Sequence, residues 1–100
     1  MLEKQSLLFK IDEKKEDFHT IEIEENPIYF LLNSNYIYII VVPIDKEIWI
    51  WHGNNATIRM KFIATQKAPK IRDKYGVDFK ISAVDEGDES HKFKEIVGLE

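Results

Sequence analysis

The densest group of side chains able to do chemistry is "DEGDES", where Asp85, Glu86, Asp88 and Glu89 supply carboxylates within one short segment. An EF-hand calcium loop needs oxygens at alternate positions over about twelve residues, with glycine at the sixth. This segment lacks that spacing, so it reads as a turn in which Asp88 caps a short following helix. Acids near a helix N-terminus are also favoured by the helix dipole. His19, His52 and His91 have no metal-ligand spacing between them, and His52 reads as a surface side chain beside Trp51. There is no Gly-x-Ser-x-Gly elbow and no glycine-rich phosphate loop. The chain has no cysteine, which excludes a thiolate metal site, a cysteine nucleophile and a disulfide scaffold, and suits a reducing cytoplasm. Asn55-Ala56-Thr57 matches a glycosylation sequon. The apolar run in "MLEKQSLLFK" is too short for a signal peptide, so the match is read as chance. These residues predict a cytoplasmic protein that is not an enzyme.

Charge is the next feature. The net charge is −4, yet Arg59, Lys61, Lys67, Lys70, Arg72, Lys74 and Lys80 crowd the stretch from Thr57 to Lys80. This is either a solvated helix face or a patch for an acidic protein or anionic lipid. Aromatic residues do not interleave with these cations as a nucleic-acid stacking platform would require. The longest apolar stretch, "YIYIIVV", falls far short of the roughly 20 residues of a membrane span, so no transmembrane segment is expected.

The elements that must position these residues follow from periodicity. One domain over residues 1–100 suits the length. "SLLFKID" (6–12), "FHTIEIE" (18–24) and "VDFKISAV" (77–84) alternate and predict half-buried strands. "YIYIIVV" (36–42) is apolar on both faces and predicts a central strand. Asn26-Pro27 and Pro43 break the chain, "IYFLLNSN" is ambiguous, and "IDKE" connects the central strand to "EIWIWH" (47–52). Gly53 marks a turn, and Asn55 or Thr57 starts a helix. Along it Met60, Ala64, Ala68 and Ile71 recur at helical spacing as a core stripe. Pro69 lies inside the pattern and should kink or weaken the last turns. "HKFKEIV" predicts a short helix with Phe93, Ile96 and Val97 on one face. The class is α+β.

The order "LNSNYIYIIVV", "KEIWIWHG", "ATIRMKFIATQKAPKIRDKYG" and "FKISAVDEGDESHKF" resembles a single gelsolin-type repeat, most like a second repeat of that superfamily. The residues carrying the resemblance are Trp51, Gly53, Glu86, Gly87, Glu89 and Phe93, and it covers about residues 6–99. It implies a mixed sheet of about five strands between one long helix and one short helix. It also implies a cytoskeletal, actin-binding module. Severing usually needs several repeats, so a lone repeat implies binding to an actin monomer or to a filament side. Calcium is the one cofactor the resemblance suggests. Its ligand positions fall on Asn35, Tyr36 and Met60, and a second, actin-shared position falls on Arg72. Tyr36 and Met60 bring no carboxylate, so calcium-independence is expected, with no metal and no other cofactor.

At about 100° per residue, Ile58, Phe62, Thr65 and Pro69 fall opposite the core stripe. They are either isolated exposed apolar residues, or apolar residues covered by the N-terminal segment, or anchors for a partner's groove flanked by Arg59, Lys61 and Gln66. Actin or an actin-like protein is the partner the resemblance implies. A non-actin adaptor role, and self-association through a sheet edge or this helix face, remain the alternatives.

Overall fold

The computed structural model describes residues 5–25 and 27–99; the break expected at Asn26 lies outside them. Its centre is β3 (Ile37–Val42), an all-apolar strand with every residue buried. That burial needs cover on both faces and a hydrogen-bonded neighbour on both sides. The neighbours are β1 (Leu7–Asp12) and β4 (Glu47–His52), both antiparallel to β3. Beyond β1 lies β2 (Asp17–Ile21), antiparallel, and beyond β4 lies β5 (Lys80–Asp85), parallel, giving the order β2-β1-β3-β4-β5. The expected five-stranded mixed sheet is the one observed.

Strand alternation divides the core in two. Ile37, Ile39, Val41, Ile48 and Ile50 face the long helix α1 (Ile58–Tyr75). Tyr38, Ile40, Val42, Trp49 and Trp51 face the short helix α2 (His91–Val97), which inserts Phe93 and Val97. The helices therefore cover opposite faces. Thr57 is the cap of α1: its hydroxyl oxygen accepts from the Met60 N–H at 3.1 Å. The helix passes through Pro69 without ending. Ala68 and Ile71 on either side of it are buried against the sheet, and this packing outweighs the missing hydrogen bond. Gly76, at φ 153°, stops it.

Several boundaries differ from the sequence expectation. Ser90, not Asp88, caps α2, accepting from the Phe93 N–H at 3.2 Å. β5 begins at Lys80, because Val77 and Asp78 are used in the turn from α1. β2 ends at Ile21. The ambiguous "IYFL" is a 3-10 turn, Ile28–Leu31. The β3–β4 connection is a 3-10 turn closed by Lys46 in the left-handed conformation. Ile63 joins the core stripe of α1. No helix among the described residues is long and apolar enough to cross a membrane.

Candidate protein-binding face

The start of α1 is fixed by a junction at one end of the sheet. Gly53 passes so close to the turn before β3 that a Cβ there would lie 2.3 Å from the Ser34 carbonyl oxygen and 2.6 Å from that of Tyr36. Close backbone approach is what requires glycine here. The approach lets the Gly53 N–H donate to the Tyr36 carbonyl at 3.0 Å and the Asn55 N–H to that of Ser34 at 2.9 Å. Glu86 then clamps both sides: its carboxylate accepts from the Ser34 hydroxyl at 2.6 Å and the Asn54 N–H at 2.8 Å. Glu89 accepts from the Trp51 indole N–H at 2.9 Å and the Gly87 N–H at 3.0 Å. His52, read as a plain surface residue, has Nδ1 3.0 Å from an Asp85 carboxylate oxygen. Asp85, Glu86 and Glu89 thus hold the strand ends and the helix entry.

From this junction α1 projects with one face outward. Ile58 is 85% exposed and Phe62 60% exposed, one turn apart. Lys61, Thr65 and Gln66 are exposed beside them, while Pro69 is half-buried and contributes less to the face than its helical position predicts. Arg59 pairs with Glu16, and Lys67 lies 3.5 Å from Asp17, so these two cations tether the helix to the β1–β2 turn. The Phe18 N–H, and then Lys67, hold the Asp17 carboxyl below its ordinary range. Lys61, Lys70 and Lys74 are exposed, with no ion pair among the described residues. The sequence-predicted partner residues Ile58, Arg59, Lys61, Phe62 and Gln66 share this helix and are all exposed. An apolar pair rimmed by cations and an amide is suited to a groove with an acidic edge.

The positions that the resemblance assigns to calcium also meet in space. Tyr36 and Met60 line one cleft of about 300 Å³ with Lys10, Asp12, Glu13, Lys14 and His19. The Lys10 ammonium sits 3.7 Å from the centroid of the Tyr36 ring, a cation–π contact. Asn35 faces outward and accepts from the Asn55 amide at 3.3 Å. Calcium requires six or more oxygen ligands with strong carboxylate character. A thioether, a phenol ring and a resident ammonium do not fit it. Asp12 accepts from the Lys15 N–H at 3.1 Å and lies 4.0 Å from His19. Among the described residues no group of three or more His, Cys, Asp or Glu is placed to hold a metal. Arg72 puts a cation at the second family position.

Exposed apolar residues away from α1 were not anticipated. Tyr29 and Phe30 lie on the 3-10 turn, and Ile44 and Val77 at the far end of the sheet. The only sequence signal was the ambiguity of "IYFLLNSN", too apolar for an ordinary turn.

No protein-family model and no curated protein sequence matches the chain. Solved structures do. A crystal structure of Thorarchaeota ProGel with rabbit actin superposes with a TM-score of 0.81 at 20% identity, covering 94% of this chain and 100% of that one. A crystal structure of Thorarchaeota 2DGel3 with rabbit actin gives a TM-score of 0.72 at 24% identity, covering 96% of this chain and 47% of that one. This chain therefore spans about half of the second protein. The shared feature is the fold.

Proposed function

We propose that this chain, which carries the fold of a gelsolin-type repeat, binds actin through the outward face of α1 and does so without calcium. The observation that carries the reading is the pair Ile58 and Phe62, left exposed one turn apart on a helix whose entry Glu86 ties to the turn before β3. The two structural neighbours were crystallised with rabbit actin, which supports actin as the partner. The exposed lysines along the same helix suit an acidic surface around the groove. One such helix suits capture of a monomer or attachment to a filament side.

Calcium-independence is supported by the chemistry of the Tyr36–Met60 cleft: a ring and a thioether stand at the positions the resemblance gives to ligands, and the Asp12 and Glu13 carboxylates share the cleft with Lys10, Lys14 and His19. The test is binding to rabbit actin, by co-sedimentation with filaments and by inhibition of polymerisation, in chelator and in millimolar calcium. The expected result is binding of equal strength in both, with no calcium uptake by the free domain in titration calorimetry. Binding only with calcium overturns the calcium part of the reading. No binding in either buffer overturns the actin assignment.

A further inference from the structure

The face of the sheet opposite α1 carries a second, differently charged surface. On the 3-10 turn Phe30 is 71% and Tyr29 41% exposed, with ring centroids 6.0 Å apart. Ile28 beside them is buried in the core on the α2 side, which fixes the turn to that face. The residues leading to the turn are acidic: Glu22, Glu24 and Glu25 are exposed and have no ion pair among the described residues. Glu24 lines one cleft with Ile28, the residue that precedes the aromatic pair.

The α1 face is its complement. It offers the exposed Ile58 and Phe62 beside the exposed Lys61, with the exposed Lys70 two turns further along the helix. One surface is aromatic and negative, the other apolar and positive, and they occupy opposite faces of one sheet. We infer that the occupant of the Tyr29–Phe30 surface is the α1 face of a second copy of this chain. Opposite charge brings the two surfaces together and sets their register. The aromatic anchors then supply the buried area.

Because the surfaces differ and face opposite ways, the contact is head-to-tail. Each copy in a pair keeps one surface unused, so assembly extends instead of stopping at a closed dimer. A copy whose α1 is docked in this way is withheld from actin. That consequence rests on the proposed function; the association itself does not.

The test contains no actin. The mass in solution is followed by light scattering and sedimentation across the micromolar to millimolar range. In low salt it should rise with concentration. It should return to the monomer at about 1 M salt, where the Debye length falls to about 3 Å. Phe30→Ser and Phe62→Ser should each stay monomeric while keeping the wild-type circular dichroism and Tm, since both side chains are largely exposed. An equimolar mixture of the two should form a species of twice the monomer mass and nothing larger, because only one intact pair of surfaces remains. A wild-type chain that stays monomeric at millimolar concentration in low salt overturns the inference. So does a Phe30→Ser variant that associates like wild type, or a mixture that stays monomeric. Phe30→Ser should also bind actin at least as well as wild type, so failure of actin binding in every variant counts against the function alone.

Discussion

Truncating Phe62 to alanine separates a binding anchor from a structural residue, because the two roles make opposite demands on exposure. A phenylalanine presents roughly 150–250 Å². With 60% exposed in the free domain, about 90–150 Å² remains for a partner to cover. At about 25 cal/mol per Å² that is about 2–4 kcal/mol. Area converts incompletely to affinity, so the lower figure is the prediction: a loss of about 2 kcal/mol, close to 30-fold in Kd. The fold should hardly notice. Alanine keeps the Cβ and is the better helix former by about half a kcal/mol, which offsets part of the lost contact with the helix surface.

The assay is actin affinity by competition or co-sedimentation, read beside thermal unfolding of the same variant. The expected pattern is a Kd raised about 30-fold with Tm within a few degrees of wild type. An affinity within about threefold of wild type, a difference below about 0.7 kcal/mol, removes Phe62 from the interface and refutes the outward-face argument. A collapse of Tm refutes it differently, by showing that the side chain supports the fold.

Two further outcomes follow from the geometry. Gly53→Ala forces a methyl group onto the Ser34 and Tyr36 carbonyl oxygens; an overpacking cost of about 3 kcal/mol lowers Tm by about 12–24 °C, and a fall under about 4 °C would show that the turn gives way freely. Burial raises the Tyr38 pKa above its ordinary value, against the lowering effect of the Asn33 N–H that donates to its oxygen at 3.1 Å. The folded state therefore prefers the neutral phenol, and this contribution is complete below the ordinary tyrosine pKa and lost as pH rises through the raised value. A phenolate absorbance titration should show an ionisation step above the ordinary tyrosine pKa, and Tyr38→Phe should abolish that step and flatten the alkaline loss of stability.

Much of this architecture is legible in the residues because one pattern dominates locally. The "YIYIIVV" run can only be a strand covered on both faces, and β3 is that strand. The change of period after Thr57 marks α1 because no sheet position accommodates Met60, Ala64, Ala68 and Ile71 on one side. The outward placement of Ile58 and Phe62 follows from the same arithmetic. The misread boundaries share a physical cause: local propensity was nearly balanced and tertiary contacts decided. Val77 continues the alternation of β5, but Lys46 in the left-handed conformation brings its carbonyl to the Lys80 N–H at 3.0 Å and starts the ladder there. Asp88 is as good a cap as Ser90 by type. It lies, however, in the turn that its N–H closes on the Asp85 carbonyl at 3.0 Å, and α2 begins only at His91, which puts Ser90 at the cap position. The Tyr29–Phe30 surface was hidden because exposure of an aromatic on a turn has no periodic signature.

The acidic run illustrates how composition alone misleads about chemistry. Four carboxylates in "DEGDES" suggest a metal, yet those of Glu86 and Glu89 are turned to donors within the chain. Both oxygens of Glu86 already accept, from the Ser34 hydroxyl and the Asn54 N–H, and both oxygens of Glu89 from the Trp51 indole and the Gly87 N–H. Charge-assisted bonds of this kind contribute roughly 1.5–3 kcal/mol each. They join the turn before β3, the end of β4 and the entry to α1. The direction in which α1 leaves the sheet is thus set by hydrogen bonds inside the chain. At Tyr36, one of the positions that the resemblance assigns to calcium, the Lys10 ammonium on the ring supplies a positive charge that cannot dissociate. On the proposed reading, a helix held in this way presents Ile58 and Phe62 without an ion, and its binding should be governed by the protein's concentration and by salt rather than by calcium.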